Sequence, residues 1–236
     1  RPGVGEHEVE ALIEYEFRRN GATGPAYASI VAGGDNACIL HYVQNDCALR
    51  AGELLLIDAG AEQDFYACDV TRTFPVSGRF SAEQRALYEV VLRAQLDALE
   101  LVKPGTPFDE PHKRAVRTLV AGLCELGLLK ESAERALESE SFKRFYMHRT
   151  SHWLGLDVHD CGAYVHKGDA RKLEAGMVLT VEPGLYVAAD DESVEARWRG
   201  IGIRIEDDAL VTAQGCEVLT AAIPKHVEEL ERLCAR

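Results

Sequence analysis

Positive charge is scarce in this chain. Lys and Arg number 26 against 39 Asp and Glu, a formal net charge of −13. Nucleic acid is held through phosphates by a surplus of Lys and Arg, so it is excluded as the expected partner. Long apolar runs are also missing. Nothing approaches the roughly 18 residues of a membrane span, so no membrane partner is expected. A charged-then-apolar leader is absent from the start, which points to a cytoplasmic protein. Seven Cys are present, an odd number with no C-x-x-C pair. That pattern fits neither a zinc finger nor a redox dithiol, and reduced, mostly buried thiols are expected. Low-complexity and linker-like stretches are lacking too, so the 236 residues read as one domain. The first residue is Arg1 rather than Met, which reads as the edge of a cut chain.

What is present is an alternation of helical and strand patterns. Val9, Leu12, Ile13 and Phe17 share one face of a helix expected over Glu6–Asn20, stopped by Gly21. A short apolar run, Ala28–Ala32, lies in the Gly- and Pro-punctuated segment that follows. Leu54–Ile57 has the continuous apolar character of a buried strand, and Asp69–Val76 reads as another. Ser81 and Gln84 form a capping box opening a helix to about Val102. Further helices are expected over Phe108–Leu126 and Ser132–Phe145, and strands over Val178–Val181, Gly184–Ala188 and Ile201–Val211. A last short helix follows Pro224 and ends near Cys234.

The chain also repeats itself. Leu49–Gly60 aligns without gaps on Leu173–Gly184, and the alignment sets Asp58 opposite Glu182. Each carboxylate ends an apolar strand and precedes a Gly two residues on. Two related α/β halves, each delivering an acid to a shared centre, account for this better than chance does.

A carboxylate beside a buried strand is costly unless it is paired, hydrogen-bonded or metal-bound. Asp69 follows Asp58 by eleven residues, a spacing that suits a hairpin. Glu206 closes the alternating strand Ile201–Ile205. Neighbouring carboxylates repel, and a divalent cation removes the penalty. The densest stretch, Met147–Asp160, holds His148, His152 and His159 with Asp157, Asp160 and Gly155. It is not H-E-x-x-H, so a zincin is not supported. His41 is a further candidate, with a solvent-exposed strand end as its plainer reading. Four carboxylates and one His form a hard, oxygen-rich donor set that favours manganese, cobalt or iron over a thiolate zinc site. Four negative charges balance two divalent ions, and the reaction class suggested is metal-assisted hydrolysis.

The ordered set Ile39-Leu40-His41-Tyr42, Leu56-Ile57-Asp58-Ala59-Gly60, Asp69-Val70-Thr71-Arg72-Thr73-Phe74-Pro75, Ser151–Asp160, Thr180-Val181-Glu182-Pro183-Gly184 and Gly200–Asp208 resembles the metallopeptidases of the pita-bread fold. Within them it looks most like the bacterial Xaa-Pro aminopeptidases, over essentially the whole chain. The resemblance implies an α/β (α+β) catalytic domain over residues 1–236. Its duplicated halves are related by a pseudo-two-fold axis, with a curved, mainly antiparallel sheet backed by helices. The family's N-terminal domain, which contributes to oligomerisation, is expected to be missing from this chain, and a homo-oligomer stays open. The implied ligands of two divalent ions are Asp58, Asp69, His152, Glu182 and Glu206. Asp69 and Glu206 would bridge, Asp58 would complete one ion, and His152 with Glu182 would complete the other. Manganese is the metal implied first, with cobalt, iron or zinc as alternatives. Non-ligand functional residues fall on His41, His148, His159 and Arg204, with Glu182 also serving as the proton acceptor.

The implied reaction is hydrolysis of the bond before Pro at position two of a peptide substrate, by a hydroxide bridging the ions, with His159 steadying the oxyanion. An Xaa-Pro dipeptidase shares these residues and is the alternative. Methionine aminopeptidase and a non-catalytic binding module on the same fold are weaker ones. Two departures stand out. Arg149-Thr150 replaces a Gly-Leu pair common in the resembling enzymes, and Cys68 stands beside Asp69 where a small residue is usual.

Overall fold

The structure is a computed structural model describing residues 1–235. Its opening helix is Glu6–Arg19, one residue shorter than the sequence pattern suggests. The Glu8 carboxylate accepts from the Gly5 N–H at 3.1 Å and so closes the N-terminus. Glu6, the first helical residue, is fully buried. One of its oxygens accepts from the Gly33 N–H at 2.7 Å and Asn36 Nδ2 at 3.1 Å. The other accepts from the Tyr42 hydroxyl at 2.8 Å and the Cys47 N–H at 2.9 Å. This one carboxylate ties the helix to the loop that carries His41.

Two three-stranded antiparallel sheets follow. In the first, Leu54–Asp58 lies between Ile30–Gly33 and Thr71–Pro75, with Asp58 opposite Thr71. In the second, Asp207–Val211 lies between Val178–Val181 and Cys216–Val218, with Asp207 opposite Val181. The outer side of Val178–Val181 is covered by the His-rich segment. Thr180 N–H donates to the His152 carbonyl at 3.0 Å and Glu182 N–H to the Thr150 carbonyl at 2.8 Å. The two halves therefore repeat one arrangement. A strand ends at an acid (Asp58, or Val181 just before Glu182). Its antiparallel neighbour begins just after a second acid (Asp69, or Glu206). The duplication legible in the sequence is thus visible in the strand pairing.

A hairpin of Gly184–Val187 and Ile201–Arg204 joins the halves. Thr73 Oγ1 donates to the Arg204 carbonyl at 3.1 Å and accepts from the Arg204 N–H at 3.3 Å. The strand expected over Ile201–Val211 is in fact two, Ile201–Arg204 and Asp207–Val211. At the break, Ile205 N–H turns to the Pro183 carbonyl and Glu206 N–H to the Thr71 carbonyl at 3.1 Å. Those donors have left one ladder for another, and the step places Glu206 at the seam. Behind the sheets, helices Ala82–Leu99 and Glu110–Glu125 pack together around Leu87, Tyr88, Val91, Leu119 and Leu123. A Cβ on Gly122 would stand 2.4 Å from Val90 Cγ1, so only Gly permits this approach. The helix expected over Ser132–Phe145 covers only Ala133–Ser139. Glu140 adopts a left-handed φ of 56° that stops it, and a 3₁₀ turn, Ser141–Arg144, follows. The last helix, Val227–Cys234, begins three residues after Pro224. All seven Cys are free, five half-buried and two, Cys47 and Cys161, exposed, which corrects the expectation of mostly buried thiols.

Candidate metal centre and substrate cavity

Asp58 and Asp69 are brought together by a close backbone crossing. A Cβ on Gly60 would lie 1.6 Å from the Cys68 carbonyl oxygen, so the two segments can meet only at a Gly. The Tyr27 hydroxyl lies 2.5 Å from Asp58 Oδ1 and 2.5 Å from Asp69 Oδ1, bridging the two acids. From the other half, His152 Nε2 lies 3.3 Å from Asp69 Oδ2 and 3.6 Å from Glu182 Oε1. Asp69, His152 and Glu206 each place a ligand atom within 4.8 Å of the others. Glu206 is held from below. Thr71 Oγ1 donates to its carboxylate at 2.7 Å, and Arg72 donates to its backbone carbonyl at 2.5 Å while pairing with buried Asp207 at 2.7 Å. All five residues expected to be ligands thus converge on one seam.

The electrostatics show what the seam lacks. Asp58, Asp69 and Glu206 are buried, with Glu182 beside them. Arg204 is the one fixed cation among them, donating to Asp58 Oδ2 at 2.7 Å. Burial and the surrounding acids hold Glu206 well above the ordinary carboxylate range. Burial likewise raises Glu182, to about 8, despite His152 and Arg204 nearby. Asp58 is raised by burial, against the pull of Arg204. Burial pulls His152 down, but its hydrogen bond to Asp69 and the charge of Glu182 prevail and lift it to about 9. Four carboxylates against one guanidinium and one imidazole leave a net negative charge in a buried place. The donor chemistry, four carboxylates and one imidazole nitrogen, fits divalent cations of the manganese type. The other cluster of possible ligands, Glu6, Asp46 and Cys47, does not fit one, because four protein donors already use the Glu6 carboxylate.

These residues form the floor of a cavity of about 960 Å³. His41, His148, His159 and Arg204 all line it. His41 is exposed, as its plainer reading had it, yet it faces this space. Both His148 ring nitrogens are engaged: Nδ1 lies 2.8 Å from the Arg149 carbonyl and Nε2 2.9 Å from the Tyr186 hydroxyl. Burial, reinforced by Arg204, pushes its pKa down to about 3, so this ring is neutral. The His159 ring sits 4.4 Å from that of His152, and burial and then His152 lower its pKa. Apolar lining comes from Leu40, Val43, Phe108, Val158, Tyr164 and Val165. Phe108 packs at 4.5 Å on Trp153 and 4.9 Å on Tyr164.

Asp157 and Asp160, conspicuous in the sequence, do not line the cavity. Asp160 packs against Gly155, where a Cβ would lie 2.1 Å from its Oδ2. Two residues went unseen in the sequence. Tyr27 bridges Asp58 and Asp69, and Tyr186 links Arg204 Nη1, at 2.9 Å, to His148. A Tyr next to or within an apolar strand reads as core, and nothing local distinguishes these two. Thr150, half of the Arg149-Thr150 departure, is buried. Its hydroxyl lies 2.8 Å from His112 Nδ1 and 2.6 Å from the Tyr146 hydroxyl.

Comparison with known proteins agrees with this geometry. The sequence profile described as metallopeptidase family M24 matches residues 1–213. Xaa-Pro aminopeptidase of Escherichia coli is 51% identical over 233 residues, 99% of this chain and 52% of the relative. That of Haemophilus influenzae is 50% identical over 99% of this chain and 54% of its own. The structure of Pseudomonas aeruginosa aminopeptidase PepP superposes with a TM-score of 0.98 at 56% identity, covering all of this chain and 53% of that one. A structure of an E. coli aminopeptidase P variant in complex with substrate matches at 0.96 and 50%. The chain spans about half the length of the relatives it matches. The mixed helix-and-strand architecture with antiparallel sheets is that of the pita-bread fold, and this chain belongs to metallopeptidase family M24.

Proposed function

We propose that residues 1–236 form the catalytic domain of a dinuclear-metal aminopeptidase that removes the first residue of peptides with Pro at position two. The observation that carries this reading is the convergence of Asp58, Asp69, His152, Glu182 and Glu206 on the floor of one cavity. The relatives named Xaa-Pro aminopeptidase supply the specificity. In this reading Asp58, Asp69, His152, Glu182 and Glu206 would hold two divalent ions, manganese by preference. Seven unpaired thiols suit a reducing compartment, and the cytoplasm is the proposed location.

When bound, the ions supply Lewis-acid polarisation of the scissile carbonyl and a water activated for attack at neutral pH. The protein's own groups do the rest. Acids at the floor receive the substrate's free α-amine, which restricts cleavage to the first bond. Glu182 takes a proton at a carboxylate oxygen and returns it to the departing Pro nitrogen. That return matters because the leaving group is a secondary amine. His159, facing the cavity with its pKa lowered by burial and by His152, donates an N–H to the developing oxyanion. His41 bounds the substrate from the opposite loop. His148 and Arg204, joined through Tyr186, hold Asp58 and the wall beside Glu182. Pro suits the apolar wall of Phe108, Val158 and Tyr164, and the missing N–H of an Xaa-Pro bond defeats enzymes that bind substrate as an added strand.

The test is hydrolysis of Xaa-Pro peptides of two to five residues by manganese-reconstituted protein, with Asp69→Ala as control. Release of the first residue from tripeptides and longer peptides, abolished with metal binding in Asp69→Ala, is the expected result. Cleavage of the dipeptide alone would make this a dipeptidase. No bound metal and no turnover would leave a binding module.

A further inference from the structure

The cavity carries two permanent cations, Arg204 and Arg149. Arg204 is buried and fully committed, to Asp58 at 2.7 Å, Tyr186 at 2.9 Å and Thr71 at 3.1 Å. Arg149 is exposed. Among the described residues its guanidinium makes no ion pair and no hydrogen bond, and only its backbone carbonyl is engaged, by His148. Its neighbours do not neutralise it. His112, which also lines the cavity, is held neutral by burial first and by Arg149 second. The cavity is thus polarised, with four carboxylates gathered at the floor and one free guanidinium in the wall, where the remaining acid, Asp109, is paired with Lys113 at 2.7 Å. A short peptide is polarised in the same way, with an ammonium at one end and a carboxylate at the other. At about 960 Å³ the cavity falls within the range that encloses a small ligand whole.

The backbone that carries Arg149 is held relative to the floor. It sits between His148, bonded to Tyr186, and Thr150, whose buried hydroxyl is locked against His112 and Tyr146 and whose carbonyl accepts from the Glu182 N–H at 2.8 Å. A planar guanidinium on such a base is suited to a bidentate grip on a carboxylate.

Resting on the aminopeptidase reading above, we propose that Arg149 is a specificity-determining residue that binds the C-terminal carboxylate of a short Xaa-Pro-Yaa substrate. With the amino end held by the floor and the carboxylate by Arg149, tripeptides with a free C-terminus are the favoured class. Longer or C-terminally blocked peptides lose the second grip.

The test compares Ala-Pro-Leu with Ala-Pro-Leu-amide on the manganese-loaded protein, in wild type, Arg149→Gln and Arg149→Lys. Wild type should favour the free acid by about five- to tenfold in kcat/KM, carried by KM, as expected of a partly exposed charge-assisted pair. Arg149→Gln should bring the ratio to near one. Arg149→Lys should give an intermediate ratio, because charge is kept and the fork is lost. Calorimetric titration with the product Pro-Leu and its amide should show the same loss of discrimination without turnover. Equal kcat/KM for acid and amide in wild type, or an unchanged ratio in Arg149→Gln, overturns the assignment while leaving the aminopeptidase reading intact. Turnover of neither peptide overturns both.

Discussion

Glu6 shows how much of the site rests on a residue remote from the chemistry. Its carboxylate accepts four hydrogen bonds in a fully buried position, two of them from backbone N–H groups. Removing the acceptor strands those donors, and each buried orphan costs about 1–3 kcal/mol. Glu6→Ala should therefore lower the unfolding free energy by about 3 kcal/mol or more in urea titration. Glu6→Gln, which keeps one acceptor oxygen, should cost less. Because Tyr42 follows His41 directly, Glu6→Ala should also loosen the His41 side of the cavity.

At the scale of elements, the His-rich segment depends on the helix behind it. Thr150 meets His112 of helix Glu110–Glu125, and burial holds that imidazole down at about 4 against an ordinary 6.5. Between pH 6.5 and 4 the unfolded chain therefore binds a proton that the folded chain refuses. Stability due to this group rises with pH across that window and is lost as pH falls through it. His112→Gln should flatten that part of the stability profile, read from urea midpoints at a series of pH values. The same element shows what a sequence can and cannot disclose. Asp58 and Glu182 are legible because each carboxylate ends an apolar strand two residues before a Gly, a buried placement that is costly without a partner. The strand break before Asp207 was not legible. Ile201–Ile205 alternates and Ala209–Val211 is apolar, so the stretch reads as one strand, and Thr71 and Pro183, outside it in sequence, divert its backbone donors. Tyr27 was missed for a related reason: its partners lie 31 and 42 residues away. Boundaries set by local chemistry, such as the Ser81–Gln84 capping box, fall where the sequence puts them.

For the whole molecule, the seam between the two halves is where folding and function oppose each other. Asp58 and Asp69 come from the first half, His152, Glu182 and Glu206 from the second, and closing the halves gathers four carboxylates that the cross-seam pairs His152–Asp69 and Arg204–Asp58 only partly offset. A divalent cation held by the proposed ligands would relieve the crowding of acids and staple the halves, so that metal binding would also be folding free energy. At free metal 100-fold above its dissociation constant the gain is about 2.7 kcal/mol. Glu206→Gln separates the two effects. It keeps the shape and the oxygen that can accept from Thr71, and removes a carboxylate that burial and the neighbouring acids hold well above the ordinary range. The chelated variant should be at least as stable as the chelated wild type, while the increment from added manganese should shrink sharply. Thermal unfolding of both proteins, with chelator and with manganese, reads the two quantities independently. A chelated Glu206→Gln protein much less stable than chelated wild type would mean that Glu206 supports the fold through its own contacts. An undiminished manganese increment would remove it from the ligand set. The chain's surplus of acid, −13 overall, is then of two kinds: acids spread over the surface, and four at the seam through which a bound cation would hold the halves together.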